Sequence, residues 1–346
     1  LIPLTEHAEK LSQKLGQQIS YIDDVAGPGA QAAVKALGPG EAVLLGNVRY
    51  LTEEVSTFEK SVKLSAPEMT NCYVIRQLAP LADYYVNDAF AAAHRNSPSM
   101  VGFAELLPTA GGRQLVAEAN ALHSVMEDPA RPGVFVLGGL KISDAFGMMR
   151  QVLENGSADR ILTGGVTGII MQMAKGVSFG QAQEQFLRER GLLEFISPAR
   201  DFLEKYGDRF VNPVDFAYER DGYRMECIIE DLPVEDALFI DIGKETIKSY
   251  QSVIETAGTI FVNGPMGAYE QPLFAHGTEA VWNAIANSPG YSVIGGGDTV
   301  NAAASLVDDA MARFDYICTA GGALVRFLSG TELPLMQALK RAYRKV

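Results

Sequence analysis

At 346 residues, 47% of them hydrophobic and 21% charged, the chain is long enough for two domains with a core each and is neither disordered nor membrane-like in composition. Its net charge of −13 excludes a nonspecific nucleic-acid binder, which needs a basic face, but leaves room for a local arginine pocket for a small anion. Three scattered cysteines (Cys72, Cys227, Cys318) point to a reducing cytoplasm, four histidines form no HxH or HExxH zinc pattern, and no apolar run reaches the roughly 18 residues of a membrane span.

The chain enters directly into a helical pattern over Leu4–Leu15. Buried strands are predicted at Ile19–Ile22, Ala42–Leu45 and Tyr84–Val86. A helical stretch from Gly111 to Met126 ends before the breaker Asp128-Pro-Ala-Arg-Pro-Gly133 and reads as a helix joining two domains. Beyond it come strands at Val134–Leu137, Arg160–Leu162, Thr259–Val262, Tyr291–Ile294 and Tyr316–Cys318. Helical patterns lie between, including Phe146–Leu153, Thr246–Ala257 and Thr278–Asn287, and Ile161–Ala174 reads as a loop followed by a buried helix. Such alternation predicts βαβ units, so the fold class is α/β with mainly parallel, doubly wound sheets whose ligands sit beyond the strands' carboxyl ends.

Glycine-rich loops fall at those ends. Gly295-Gly-Gly-Asp-Thr299 lies between a strand and a helix, where bare amides and the helix dipole favour an anion and Asp298 can hold the Mg²⁺ of a nucleotide. Leu137-Gly-Gly-Leu-Lys141, Thr163-Gly-Gly-Val-Thr167 and Thr319-Ala-Gly-Gly-Ala323 share the layout, and Asn263-Gly-Pro-Met-Gly-Ala-Tyr-Glu270 ends in a carboxylate able to accept from a ribose hydroxyl. One such loop is usually a plain turn; five along one sheet edge, with one lysine and one aspartate suited to magnesium, fit a nucleotide site better. Gly243-Lys-Glu-Thr246 fails as a P-loop, because Leu238 stands where a glycine is required and Glu245 where Ser or Thr is. There is no G-x-G-x-x-G fingerprint, which disfavours a dehydrogenase. In the first half, Arg49 and Arg95 each follow a strand, where a guanidinium can fork onto phosphate or carboxylate oxygens; either one alone is better read as a surface arginine paired with Glu53, Glu54 or Asp88. His94 beside Arg95 reads as a packed or capping histidine before an acid or base.

The order of these motifs resembles the phosphoglycerate kinase family, in its archaeal branch. The matching segments are Leu44-Leu-Gly-Asn-Val-Arg-Tyr50, Val86-Asn-Asp-Ala-Phe-Ala-Ala-Ala-His-Arg95, Val136-Leu-Gly-Gly-Leu-Lys141, Asp241-Ile-Gly243, the loops from Asn263 and Gly295, Gly321-Gly-Ala323 and Leu333-Pro334. The resemblance implies two Rossmann-like domains around a cleft, the first binding 3-phosphoglycerate and the second Mg-ADP or Mg-ATP. It implies substrate contacts from Arg49 and Arg95, a catalytic Lys141 near the transferred phosphoryl group, and nucleotide contacts from Gly138, Gly139, Glu270, Gly296, Gly297, Asp298, Thr299, Gly321 and Gly322, with Asp298 on the metal. The expected boundaries are 1–110 for the first domain, 111–127 for the joining helix, 128–328 for the nucleotide domain, and 329–346 for a segment returning to the first domain. Partners are expected to be small-molecule substrates, with no nucleic acid and no membrane, the chain being a monomer or homodimer.

Departures from the family's pattern are visible. Ala145 stands where bacterial and eukaryotic members have a second lysine, Gly46 replaces a glutamate, and Lys244 a proline. The family's opening strand, with its Asp-x-Asn motif and the following His-x-x-Arg ligands, precedes the region matched here, so the first domain is expected to be incomplete. The competing expectation is a shortened or repurposed nucleotide-binding module without catalysis.

Overall fold

The computed structural model describes residues 2–318 and 320–344. Leu1, Lys345 and Val346 at the chain ends, and Thr319 in the fourth glycine loop, lie outside the described residues. The chain divides into two compact units, Leu1–Val116 with Glu332–Val346, and Ala117–Thr331. The division falls inside the helix Arg113–Met126.

The second unit is built on a parallel sheet of six strands: β1 (Gly133–Leu137), β2 (Arg160–Thr163), β3 (Phe210–Val211), β4 (Thr259–Asn263), β5 (Tyr291–Gly295) and β6 (Tyr316–Cys318). They lie in the order β3-β2-β1-β4-β5-β6, every pair parallel. That is the doubly wound arrangement, and its order reverses between β1 and β4. Strands covered on both faces need apolar side chains throughout: every residue of β1 is buried, as are four of the five in β4. The helix Ile142–Glu154 turns Ile142, Ala145, Phe146, Met149, Val152 and Leu153 inward, the stripe that a 3.6-residue period lays on one face. The core on the β4–β5 side gathers Val134, Val136, Ile260, Val262, Ile294 and the fully buried Trp282. Burying side chains of this size contributes about 1.5–3 kcal/mol each.

A second sheet in this unit was not expected. Phe239–Ile242, Asp215–Arg220 and Tyr223–Ile228 form an antiparallel sheet with Asp215–Arg220 in the middle. Arg220 faces Tyr223 across a two-residue turn, Asp221-Gly222, with both φ values positive (53° and 80°). That is the geometry Asp-Gly turns favour in hairpins.

In the first unit, Ser20–Tyr21 pairs parallel with Val43–Leu44, and Tyr85–Asn87 with Thr109–Gly111. Val25, Ala26, Val74, Ile75 and Ala79 form its core. The helix Pro334–Tyr343 buries Leu335, Ala338 and Ala342, and is tied in by Leu335 N–H to the Ala93 carbonyl (3.2 Å) and by Arg341 to Glu105 (3.3 Å).

Candidate active site

Two adjoining cavities open at the carboxyl ends of β1, β4, β5 and β6. One, of about 370 Å³, is lined by Gly138, Gly139, Lys141, Gly296, Gly297, Asp298, Thr299, Gly321 and Gly322 among others. The chain leaves β5 through Gly296, held at φ 95°, a conformation that suits glycine. The helix Gly297–Leu306 follows at once. By their place in its first turn, the amides of Gly297, Asp298 and Thr299 have no intrahelical carbonyl one turn back to meet. At the start of the helix Ile142–Glu154, the Lys141 ammonium sits 3.2 Å from Asp298 Oδ2, with both side chains mostly exposed.

Not every glycine in this cavity offers its amide. Gly138 N–H donates to the Asn263 carbonyl (3.0 Å) and Gly139 N–H to that of Pro265 (2.8 Å); in the neighbouring loop, Gly165 N–H donates to Met266 O (2.8 Å). These glycines let the β1, β2 and β4 loops touch backbone to backbone where the strand order reverses. The facing loop's carbonyls thus already occupy the amides of Gly138 and Gly139, while both glycines line the cavity. Thr299 is buried, and its hydroxyl accepts from Gly264 N–H (2.8 Å), tying the helix start to the β4 loop.

The adjoining cavity, about 450 Å³, shares Gly139, Leu140, Lys141, Pro265 and Asp298 and extends between Leu238, Phe239 and Ile240 on one wall and Gly267, Ala268, Tyr269 and Glu270 on the other. Val166 and Phe186 add to its apolar lining. A flat aromatic base suits such a slot, with the exposed Glu270 carboxylate at its edge.

The two arginines of the first unit line one cavity of about 330 Å³. Arg49 Nη1 donates to the Glu54 carbonyl at 2.6 Å, and Arg95 Nη2 reaches the same oxygen at 3.5 Å. Arg95 also pairs with Glu59 at 3.1 Å and is largely buried, so it is not a surface arginine. Glu54 itself is buried, its carboxylate taking Ser99 N–H (2.6 Å) and Ser99 Oγ–H (2.8 Å). A rigid acidic residue thus positions two guanidiniums by its main chain.

The sequence reading missed Arg326, Asn263 and Asp144 around the first cavity, and Phe186 and Leu238–Ile240 around the second. Arg326 carried a weak signal, lying one turn into the helix after Gly321-Gly322. Phe186 carried none.

A sequence model of the family described as "Phosphoglycerate kinase" matches residues 2–331. A phosphoglycerate kinase of Thermococcus kodakarensis is 42% identical, over 99% of this chain and 82% of its own length. One from Methanothermobacter thermautotrophicus is 41% identical, over 98% of this chain and 80% of its own. The crystal structure of phosphoglycerate kinase from Pyrococcus horikoshii superposes with a TM-score of 0.88 at 35% identity, covering all of this chain and 84% of that one. The structure from Coxiella burnetii gives 0.81 at 31% identity, over 98% and 81%.

Proposed function

The chain belongs to the phosphoglycerate kinase family, and from that premise we propose how its own residues carry phosphoryl transfer between 1,3-bisphosphoglycerate and ADP, giving 3-phosphoglycerate and ATP. The base lies in the apolar slot between Leu238–Ile240 and Gly267–Glu270, with the ribose near Glu270. The phosphates lie over the first turns of the helices that begin at Gly297 and Gly322. In the first unit, Arg49 and Arg95 hold the acid substrate.

The attacking oxygen belongs to an already ionised phosphate or carboxylate, so no general base is required. Transfer rests on in-line positioning and on neutralising the charge that spreads over the equatorial oxygens. Lys141 is the cation for that task, Gly138 and Gly139 fix the loop that carries it, and the Gly297 and Asp298 amides orient the nucleotide tail.

Magnesium fits the residues present. Among the described residues no group of three or more His, Cys, Asp or Glu side chains could cage an ion. The exposed carboxylate of Asp298 stands beside the phosphate cradle, and the half-buried Asp144 lines the same cavity. Mg²⁺ is commonly held in this way, through one or two carboxylates, substrate phosphates and retained water. When bound it would supply charge neutralisation, and Asp298 would exchange its Lys141 partner for it.

The observation that carries this reading is the meeting of Lys141 and Asp298, from the β1 and β5 ends, in one glycine-lined cavity. Three buried free thiols agree with a cytoplasmic setting, and no helix among the described residues is long and apolar enough to cross a membrane. The test is a coupled assay with 1,3-bisphosphoglycerate and ADP. Formation of ATP that depends on both substrates is expected; tight Mg-ADP binding without turnover would mean a nucleotide-binding module instead.

A further inference from the structure

Behind the base slot, and outside its lining, lies a buried ion pair that the transfer chemistry does not use. Asp241 is the penultimate residue of the strand Phe239–Ile242, its side chain fully buried. Its carboxylate accepts from Arg224 Nη1 (2.8 Å), Gly277 N–H (3.0 Å) and Ile242 N–H (2.9 Å). Arg224, on the hairpin strand Tyr223–Ile228, spreads its remaining donors over the Leu273 carbonyl (2.8 Å), the Ile242 carbonyl (2.8 Å) and Glu226 Oε1 (3.3 Å). One guanidinium therefore ties the hairpin, the Phe239–Ile242 strand and the loop ahead of the helix His276–Asn287.

The loops on either side of Asp241 are fitted to it. A Cβ at Gly267 or at Gly277 would run into Asp241 Oδ1 far inside van der Waals contact, so both backbones close directly over the carboxylate. Gly267 begins one wall of the slot, and Ala268 N–H donates to the Ile240 carbonyl (2.9 Å), joining that wall to the other. Burial pushes the Asp241 carboxyl up to about 6, because desolvation outweighs Arg224 and the amides. Buried pairs of this kind seldom add stability over an apolar replacement, and their attested use is to fix one arrangement.

We propose that Arg224 and Asp241 are positioning residues for the nucleotide, setting the distance between the two walls of the base slot. This rests on the assignment of that slot to the base. Only the nucleotide side of the reaction depends on the pair; neither Lys141 nor Asp298 is among its hydrogen-bond partners.

The experiment compares Asp241→Asn, Arg224→Ala and Arg224→Lys in the full-length enzyme. Asp241→Asn keeps the shape and one accepting oxygen but sets an amide against a guanidinium; Arg224→Lys keeps the charge but, with its donors on one nitrogen, cannot span all four carbonyl and carboxylate partners. The expected result is a rise in KM for ADP of about tenfold or more, as for loss of a charged hydrogen bond. The kcat and the KM for 1,3-bisphosphoglycerate should stay within a few-fold, with Arg224→Lys between wild type and Arg224→Ala. Parallel losses in kcat and in both KM values, or an unchanged KM for ADP in a folded variant, would overturn the proposal. If the variants do not fold, amide exchange in wild type decides. Protection by ADP of 238–240 and 265–270 together with 273–277 is expected, and protection of the slot walls alone would overturn the coupling. Failure of ADP to protect the walls at all would overturn the slot assignment itself.

Discussion

Replacing Lys141 by alanine separates two roles that a lysine near a nucleotide can have. Its ammonium is 3.2 Å from Asp298, but the side chains are 72% and 61% exposed, so solvent screens the pair. Exposed pairs of this kind contribute about 0–1 kcal/mol, so the thermal midpoint of Lys141→Ala should stay close to that of wild type. ADP affinity should also change little, since the apolar slot and the helix amides remain, and Asp298 is released for the metal. Turnover should not be spared. Removing a donor aimed at transition-state charge typically costs about 10²–10³ in rate, or about 2.7–4 kcal/mol. Steady-state kinetics in the ATP-forming direction, with ADP titration by calorimetry, measure both quantities on one preparation. A fall in kcat of at least about a hundredfold with ADP affinity within a few-fold is the expected outcome. Equal losses of binding and turnover would refute the argument by making Lys141 a ground-state ligand.

Asp298→Asn should weaken binding of Mg-ADP while leaving metal-free ADP nearly unaffected; titrations with and without Mg²⁺ that show the same loss would remove Asp298 as a metal ligand. Arg95→Ala should raise the KM for 3-phosphoglycerate with little change in the KM for ATP, and unchanged acid-substrate kinetics would return Arg95 to a structural ion pair with Glu59. Asp24 accepts from Gly27 N–H (2.7 Å) and Ala30 N–H (3.1 Å) at the start of the helix Pro28–Lys35. Burial raises its pKa, but these and further amides outweigh it and leave the carboxyl below its usual range. Its contribution is thus present above the unfolded value near 3.9 and is lost as pH falls through that value toward the folded one. Asp24→Ala should cost about 1 kcal/mol in urea unfolding at neutral pH and less near pH 3, and a gap independent of pH would contradict the capping role.

Much of the site could be read along the chain because its parts are local. Gly296, Gly297, Asp298 and Thr299 sit between an apolar run and a helical one, and that spacing alone places amides at a strand's carboxyl end. What the loops do to one another is not local. The amides of Gly138 and Gly139 are taken by carbonyls of Asn263 and Pro265, which pattern along the chain cannot pair with them. The hairpin Asp215–Ile228 was overlooked although it carried signals: Tyr223-Arg-Met-Glu-Cys227 alternates apolar and polar residues, and Asp221-Gly222 is a usable turn; only Phe216-Ala-Tyr218, a short apolar run ending in Glu219-Arg220, gives no alternation. Likewise, Arg49 and Arg95 each looked ordinary alone, and only the fold brings both to the carbonyl of Glu54.

A crystal structure with Mg²⁺ and ADP bound is the most direct test of the central claim. The account predicts the adenine between Leu238–Ile240 and Gly267–Glu270, the phosphates against the Gly297 and Asp298 amides, and the metal on Asp298. Nucleotide bound elsewhere, or phosphates turned away from the helix that begins at Gly297, would contradict it.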